Sequence, residues 1–333
     1  MAGDEKLLKW ARRNVLFEGH QFFRTSGSSG VEKWIALSDD ALEWSARSVI
    51  EALEITANDV LGLALPEVHV GGYGVALRSR FSGARLERFG DRWSATGFTN
   101  WTGASGVTIS SLVPTQVHDL VAGGFQAAKC LRMIVVGGGA LDQELCDQAR
   151  GLGWPVVPSY GMTETSSQVA TGDGLPLLPG WEARIEGDRL ALRGGGLLTS
   201  VIQREGSGFV SSDPKVDGWF VTNDRVELTP TGLKILGRTD RVVKVFGELV
   251  DLVELESFWS EGLGTNVAIV ARPDHRRGAV LHLFYEGETD WVESMNATLP
   301  GPTRLASSHQ VEALPRSALG KVDRVALSKF HVD

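Results

Sequence analysis

From Asp39 to Leu53 the apolar side chains of Leu42, Ala46, Val49 and Leu53 recur at three- and four-residue steps. That spacing predicts a helix, and Ser38 stands where a hydroxyl caps the first turn. The next pattern is different: Val60-Leu-Gly-Leu-Ala-Leu65 is apolar without interruption, as is Met133–Val136, and Val107-Thr-Ile-Ser-Ser-Leu-Val113 reads the same way. Short continuous apolar runs of this kind predict strands buried on both faces. Helical periodicity returns between and after them, over Thr115–Ala122 and Asp142–Gly151. Strands alternating with helices predict an α/β fold with a mostly parallel sheet flanked by helices.

The flanks of this region read otherwise. Upstream, a short amphipathic helix over Leu7–Val15 leads to a strand around Gln21–Arg24. Downstream, Arg184–Leu192 and Trp219–Leu236 alternate strand-like runs with turn residues, which predicts small antiparallel sheets. Beyond Asp240 the pattern gives a helix over Val253–Glu261, strands over Asn266–Ala271 and Val280–Tyr285, and a helix over Trp291–Leu299. We therefore expect a large domain over 1–239 and a small α+β domain over 240–333, within normal domain size.

Composition narrows the function classes. The 333 residues are 42% hydrophobic and 22% charged, an ordinary globular balance. A net charge of -8 argues against a nucleic-acid surface, which needs clustered Lys and Arg. Cys130 and Cys146 lack metal-ligand spacing. No apolar run approaches the roughly 20 residues of a membrane helix, and the start lacks a signal-peptide core. A cytoplasmic protein with no membrane partner is the expectation.

Two segments carry candidate chemistry. Thr25-Ser-Gly-Ser-Ser-Gly-Val-Glu-Lys33 combines hydroxyls (Thr25, Ser26, Ser28, Ser29), two glycines (Gly27, Gly30) and a closing cation, Lys33. Consecutive amides in such a turn form a concave anion site, and glycine lets a phosphate approach the backbone. The Walker spacing is absent. A flexible Ser/Gly linker is the competing reading; a strand before the loop and a helix after it favour phosphate, since strand-to-helix turns are where open α/β sheets bind ligands. The second segment, Ser159-Tyr-Gly-Met-Thr-Glu-Thr-Ser-Ser-Gln168, offers an aromatic face beside a glycine, hydroxyls and a carboxylate suited to Mg²⁺. A polar loop after a strand is its plainer reading.

Together, Thr25–Lys33 and Tyr160-Gly-Met-Thr-Glu164 resemble motifs of the acyl-adenylate-forming superfamily of acyl-CoA synthetases, luciferases and peptide-synthetase adenylation domains. Further matches follow in the family's order: Gly137-Gly-Gly-Ala140, Gly218-Trp-Phe-Val-Thr-Asn-Asp224, Gly237-Arg-Thr-Asp240, Lys244-Val-Phe-Gly-Glu-Leu-Val250 and Pro315-Arg-Ser-Ala-Leu-Gly-Lys321. The resemblance implies ATP, Mg²⁺ and coenzyme A as cofactors and a small carboxylic acid as substrate. It implies that Thr25–Lys33 holds the β- and γ-phosphates, that Gly138, Gly139 and Ala140 line the adenine, and that Tyr160 stacks on it, with Ser159, Gly161 and Met162 around the nucleotide. Thr163 would bond the α-phosphate and Glu164 would bind the metal. Asp224 with Arg238 would fix the ribose. Lys321 would bridge the acid carboxylate and the α-phosphate. Asp240 would be the hinge of a mobile C-terminal domain, and Gly247 would sit in the loop that this domain brings to the thiol channel.

Within the superfamily, Leu65-Pro-Glu-Val-His-Val-Gly-Gly72, Ser111-Leu-Val-Pro-Thr-Gln116 and Gly161–Gln168 are similar to the o-succinylbenzoate–CoA ligase branch, which serves menaquinone synthesis. That likeness nominates His69, Arg78, Thr165, Ser166 and Gln168 as contacts to the acid; a core histidine and a solvent-facing helical arginine are the plainer readings of the first two. The chain departs from the family pattern at Glu32, Trp34 and Asn223, and its phosphate loop begins at Thr25 where family members carry a long preceding segment. A shortened N-terminal subdomain is therefore expected. A different aryl or acyl acid, a carrier-protein thiol, and a nucleotide-binding relative without turnover remain alternatives, and a homo-oligomer is left open.

Overall fold

The computed structural model describes residues 5–25, 33–90, 92–317, 320 and 322–330. The chain runs through helix α1 (Glu5–Ala11), strands β1 (His20–Thr25) and β2 (Lys33–Ser38), then α2 (Asp39–Ala52), β3 (Val60–Leu63), α3 (Val70–Ser82), β4 (Arg85–Arg88), α4 (Ala95–Ser105), β5 (Ile109–Leu112), α5 (Pro114–Ala122), β6 (Met133–Val136), α6 (Gln143–Gly151), β7 (Val156–Met162) and β8 (Ser167–Thr171). Its centre is a six-stranded sheet ordered β4-β3-β5-β6-β7-β8, parallel except for β8, which pairs antiparallel with β7. The α/β class read from the alternating pattern holds.

Local chemistry sets these elements. Ser38 Oγ accepts the Ala41 amide at 3.1 Å and caps α2, while Leu42, Ala46 and Val49 point into the core. Asp142 caps α6 in the same way, accepting from the Leu145 amide at 2.7 Å. α3 stops at Gly83, whose φ of 77° only glycine adopts freely. One face of the sheet closes over a core of Phe98, Leu112, Val117, Leu120, Ile134 and Trp154. The amino ends of the strands are joined by Asp59, which accepts from Arg132 Nε (2.8 Å) and Nη2 (3.0 Å), from Thr108 Oγ1 (2.8 Å) and from the Thr56 amide (2.9 Å). The Arg132 bonds hold its carboxyl far below the usual range, against the cost of burial.

Two features depart from the pattern-based reading. Lys33–Ser38 is a strand, paired antiparallel with β1 from His20↔Ser38 to Thr25↔Lys33. The Ser/Gly-rich segment therefore connects two paired strands and is not a strand-to-helix turn. The continuous apolar run Trp34–Leu37, buried on both faces, carries no period that separates it from the helix that follows. Secondly, Ser159–Gln168 is no loop: it comprises the end of β7, a 3₁₀ turn over Thr163–Thr165 and the start of β8.

Beyond β8 come β9 (Glu182–Glu186), β10 (Arg189–Arg193), β11 (Ser200–Glu205), β12 (Gly208–Ser212) and β13 (Phe220–Val221). β11 joins β2, giving a sheet ordered β1-β2-β11-β12, and β13-β10-β9 form another. Then follow the hairpin β14 (Asp224–Thr229) and β15 (Gly232–Arg238), β16 (Val242–Val245), β17 (Glu248–Asp251), α7 (Leu252–Leu263), β18 (Val267–Asp274), β19 (Gly278–Glu286), α8 (Val292–Thr298), β20 (Leu305–Val311) and α9 (Arg324–Ser328). The chain divides into two compact units, the smaller comprising residues 187–189, 223–226 and 235–333. In the small unit the sheet β18-β19-β20 buries Ile269, Leu281 and Leu283 with Leu255 and Trp259 of α7; Ala268, Val270 and Phe284 pack with Leu314 and Leu327.

Candidate functional site

In the large unit the nominated residues gather beyond the carboxyl ends of the parallel strands, where open α/β sheets bind ligands. His69 precedes α3 after β3, Gly137–Ala140 follow β6, Ser159–Met162 form the carboxyl end of β7 and Thr163–Glu164 follow it. Gly137 donates to Leu112 O at 3.2 Å, Gly138 has a φ of 80°, and Gly138–Ala140 lie exposed.

The β7–β8 corner is closed by sterics. A Cβ on Gly161 would sit 1.8 Å from Ser167 O, so only glycine fits. Thr165 is fully buried; its Oγ1 accepts the Met162 amide (3.1 Å) and lies 3.0 Å from Met162 O and 2.9 Å from Ser167 O. Ser166 is held at φ 55°, a left-handed conformation that costs a non-glycine residue about 1–2 kcal/mol. Its carbonyl accepts from Ser45 Oγ at 3.1 Å, and its own buried hydroxyl has no partner. Gln168 is buried and its Oε1 accepts from Thr171 Oγ1 at 2.7 Å. Thr163 and Glu164 stand on this corner, half-buried, and Glu164 O accepts the Leu198 amide at 2.8 Å. Tyr160 is half-buried in β7.

Arg78 departs from its plainer, solvent-facing reading. It lies on α3 but is only 5% exposed, so it does not face solvent. Its guanidinium makes no hydrogen bond or ion pair among the described residues. Burial pushes its pKa down to about 10, which leaves it protonated at neutral pH. Nη2 lies 3.4 Å from the position of a Cβ on Gly74, and Ser167 Cβ and Oγ lie 3.7 Å from that same position. The cation thus borders the β7–β8 corner. It also lines a cavity of about 10 Å³ with Leu61, Val75, Ile109 and Ser110. Position on a helix could not have told its depth; that follows from the tertiary packing of α3.

Thr25 and Lys33 face each other at the end of the β1–β2 pair where the chain passes from one strand to the other. Ser26, Gly27, Ser28, Ser29 and Gly30 lie outside the described residues, as does Lys321.

The other nominated residues belong to the small unit. Arg238 Nη1 donates to Asp224 Oδ1 at 3.0 Å, and its Nε and Nη2 donate to the two carboxylate oxygens of Asp240, each at 2.8 Å. Burial pushes the Asp240 carboxyl up, but the Arg238 bonds and charge outweigh it and leave the pKa lowered. Phe246 and Gly247 form the two-residue turn between β16 and β17, with φ 53° and 85°. Positive φ at both positions is the type I′ signature, so turn geometry accounts for Gly247. A Cβ there would meet nothing within 4 Å. Phe246 is 53% exposed at the tip.

Among the described residues no group of three or more His, Cys, Asp or Glu could cage a metal. A single carboxylate at Glu164 suits Mg²⁺ that is held mainly by phosphate oxygens and water. No helix is long and apolar enough to cross a membrane.

Residues 22–188 match the AMP-binding enzyme family. The chain is 30% identical over 293 residues to the 2-succinylbenzoate–CoA ligase of Escherichia coli, covering 84% of this chain and 62% of the relative. It thus spans less than two thirds of that relative's length. Among solved structures, the o-succinylbenzoate CoA synthetase of Bacillus subtilis in complex with the acyl-adenylate intermediate OSB-AMP superposes with a TM-score of 0.80 at 25% identity, covering 93% of this chain and 69% of the other. The same synthetase with ATP and magnesium ion gives 0.78 at 25% identity, with 92% and 69% covered.

Proposed function

This chain belongs to the AMP-binding enzyme family, and from that premise we propose that it activates a carboxylic acid with ATP and transfers the acyl group to coenzyme A, with o-succinylbenzoate as the acid. The observation that carries the choice of acid is Arg78. A buried, protonated guanidinium without a partner is costly, and a substrate anion would relieve that cost. An acid with two carboxylates can offer one to Arg78 and keep the other for reaction. The guanidinium is suited to bidentate carboxylate recognition. The unpartnered Ser166 hydroxyl and the half-buried His69 supply further polar contacts, with Thr165 and Gln168 shaping the corner.

In the first half-reaction an oxygen of the reacting carboxylate attacks the α-phosphorus, the bond to the β-phosphate oxygen breaks, and pyrophosphate leaves. Charge builds on the non-bridging oxygens, so positioning and neutralisation dominate. Lys321 is the cation for the carboxylate and α-phosphate, and Thr163 donates to the α-phosphate. Glu164 holds Mg²⁺, which neutralises the phosphates. Thr25–Lys33 bind the β- and γ-phosphates, Tyr160 and Gly138–Ala140 hold adenine, and Asp224 with Arg238 the ribose. In the second half-reaction the thiolate sulfur attacks the acyl carbon, the C–O bond to phosphate breaks and AMP leaves; the thiol proton goes to solvent. Asp240 is the pivot between the two steps, and the Phe246–Gly247 turn serves the second. ATP and CoA both abound in the cytoplasm, where this reading places the enzyme.

The test is mass detection of products with ATP, Mg²⁺, CoA and a panel of acids. Dominant formation of o-succinylbenzoyl-CoA supports the reading. Preference for a monocarboxylic aryl acid would remove the role given to Arg78, and ATP binding without any acid-dependent pyrophosphate would remove catalysis.

A further inference from the structure

One carboxylate on α7 ties together three stretches of the small unit that are distant in sequence. Glu256 has a side chain only 13% exposed. Its Oε1 accepts from Arg241 Nη2 at 2.6 Å and from the Ile269 amide at 2.7 Å, and its Oε2 accepts from Arg324 Nη2 at 2.8 Å. Arg241 closes the 3₁₀ turn that contains Asp240. Ile269 lies in the centre of β18. Arg324 opens α9, three residues after Lys321.

The described residues that flank Lys321 in sequence close on one another. The Asp323 amide donates to Pro315 O at 2.6 Å, Arg316 and Val322 form an antiparallel bridge, and Arg316 Nη1 donates to Gly320 O at 2.9 Å. Two carboxylates then fasten this closed stretch to the body of the unit. Glu286 Oε1 accepts the Leu314 amide at 2.8 Å on the entering side, and Glu256 takes Arg324 on the leaving side. Among the described residues Glu256 is the hydrogen-bonding partner of the Arg324 guanidinium, whose buried Nε has none.

Charge makes the link two-sided. Burial lowers the Arg241 pKa, Glu256 works against that fall, and Arg324 adds to it. The two guanidiniums therefore repel one another, and the carboxylate between them turns that repulsion into a clamp. Without it, two partly buried cations would confront each other and separate.

We propose that Glu256 is a positioning residue for adenylation: through Arg324 it fixes the exit of the Lys321 stretch, and through Arg241 it couples that stretch to the turn at Asp240. This rests on the roles given to Lys321 and Asp240 above. The clamp does not touch substrate, so it acts on the rate through the placement of Lys321 and leaves substrate affinity unchanged.

The experiment measures acid-dependent pyrophosphate exchange and, separately, thioester formation from preformed acyl-adenylate, in full-length Glu256→Gln, Arg324→Met, Arg324→Lys, Lys321→Ala and Lys321→Ala/Arg324→Met proteins. Arg324→Met should lower the adenylation kcat about 10- to 30-fold, with KM for ATP and acid and the thiolation rate each within about threefold. Arg324→Lys should recover part of the loss, and the double variant should be no slower than Lys321→Ala alone, because Arg324 acts only through Lys321. Glu256→Gln should follow Arg324→Met; should it fail to fold, the arginine variants carry the test. A slow Lys321→Ala beside a folded Arg324→Met within twofold of wild type, or losses that add in the double variant, overturns the clamp. An unimpaired Lys321→Ala overturns both the role of Lys321 and the clamp built on it.

Discussion

In the large unit the nominated polar groups are held by shape: Gly161 admits no side chain, Thr165 is sealed among three backbone partners, and Ser166 is forced to a positive φ. In the small unit they are held by charge, with Arg238 spanning Asp224 and Asp240, and Glu256 spanning Arg241 and Arg324. Steric closure makes one geometry rigid. The more exposed Arg238–Asp240 pair can break and re-form at modest cost, which suits the two half-reactions proposed above, whereas the largely buried Glu256 cluster holds its place. The contrast also separates their expected failures, since packing errors cost stability and charge errors cost rate.

The largest expected effect lies on the charge side. Lys321→Ala should slow adenylation by about 100-fold or more while thioester formation from preformed adenylate stays within a few-fold, as a transition-state cation requires. Equal losses in both half-reactions would break the division of labour. Next comes Arg78→Met, where the two kinds of failure oppose each other. Removing an unpaired buried cation should raise the midpoint of thermal unfolding, while KM for a dicarboxylic acid rises about 30- to 100-fold, about 2–3 kcal/mol of a charged hydrogen bond. Lower stability together with unchanged KM would make Arg78 a packing residue. Gly161→Ala tests shape directly: overpacking against Ser167 O should cost about 1–3 kcal/mol of large-unit stability.

Much of this was open to reading from residue order, and the limits have physical causes. Local signals sufficed for α2, with its Ser38 cap and apolar spacing, and for β3 and β6 with their unbroken apolar runs, but not for β4, whose Arg85-Leu-Glu-Arg88 carries no such run. β2 was missed because Trp34–Leu37 is buried on both faces, which erases the two-residue period of a strand, and with it went the true setting of the Ser/Gly segment. The motif residues at 159–168 were found as a set, but their hairpin was not, since the 1.8 Å limit at Gly161 arises from a strand returning from beyond it. The depth of Arg78 and the clamp between residues 68 apart are tertiary facts that no window along the chain contains.

The pH dependence should sharpen the same comparison with a smaller effect. Burial, with the charge of Arg272, lowers the pKa of His282 and His309 in the small unit. A histidine held neutral stabilises the fold above its unfolded pKa of about 6.5, and that contribution fades as pH falls through the lower folded value. Asp59 in the large unit has a carboxyl lowered by Arg132, so its contribution persists to about pH 4 and is lost only below. Acid titration followed by hydrogen exchange should show β18–β20 loosening first. Simultaneous loss in both units would contradict this order.

The central claim is that the chain forms an acyl-adenylate, and acid-dependent exchange of labelled pyrophosphate into ATP, without CoA present, tests it most directly. The account predicts exchange that requires Mg²⁺, is strongest with o-succinylbenzoate and falls by about 100-fold or more in Lys321→Ala. Exchange that does not respond to any acid, in a protein that binds ATP, would contradict it.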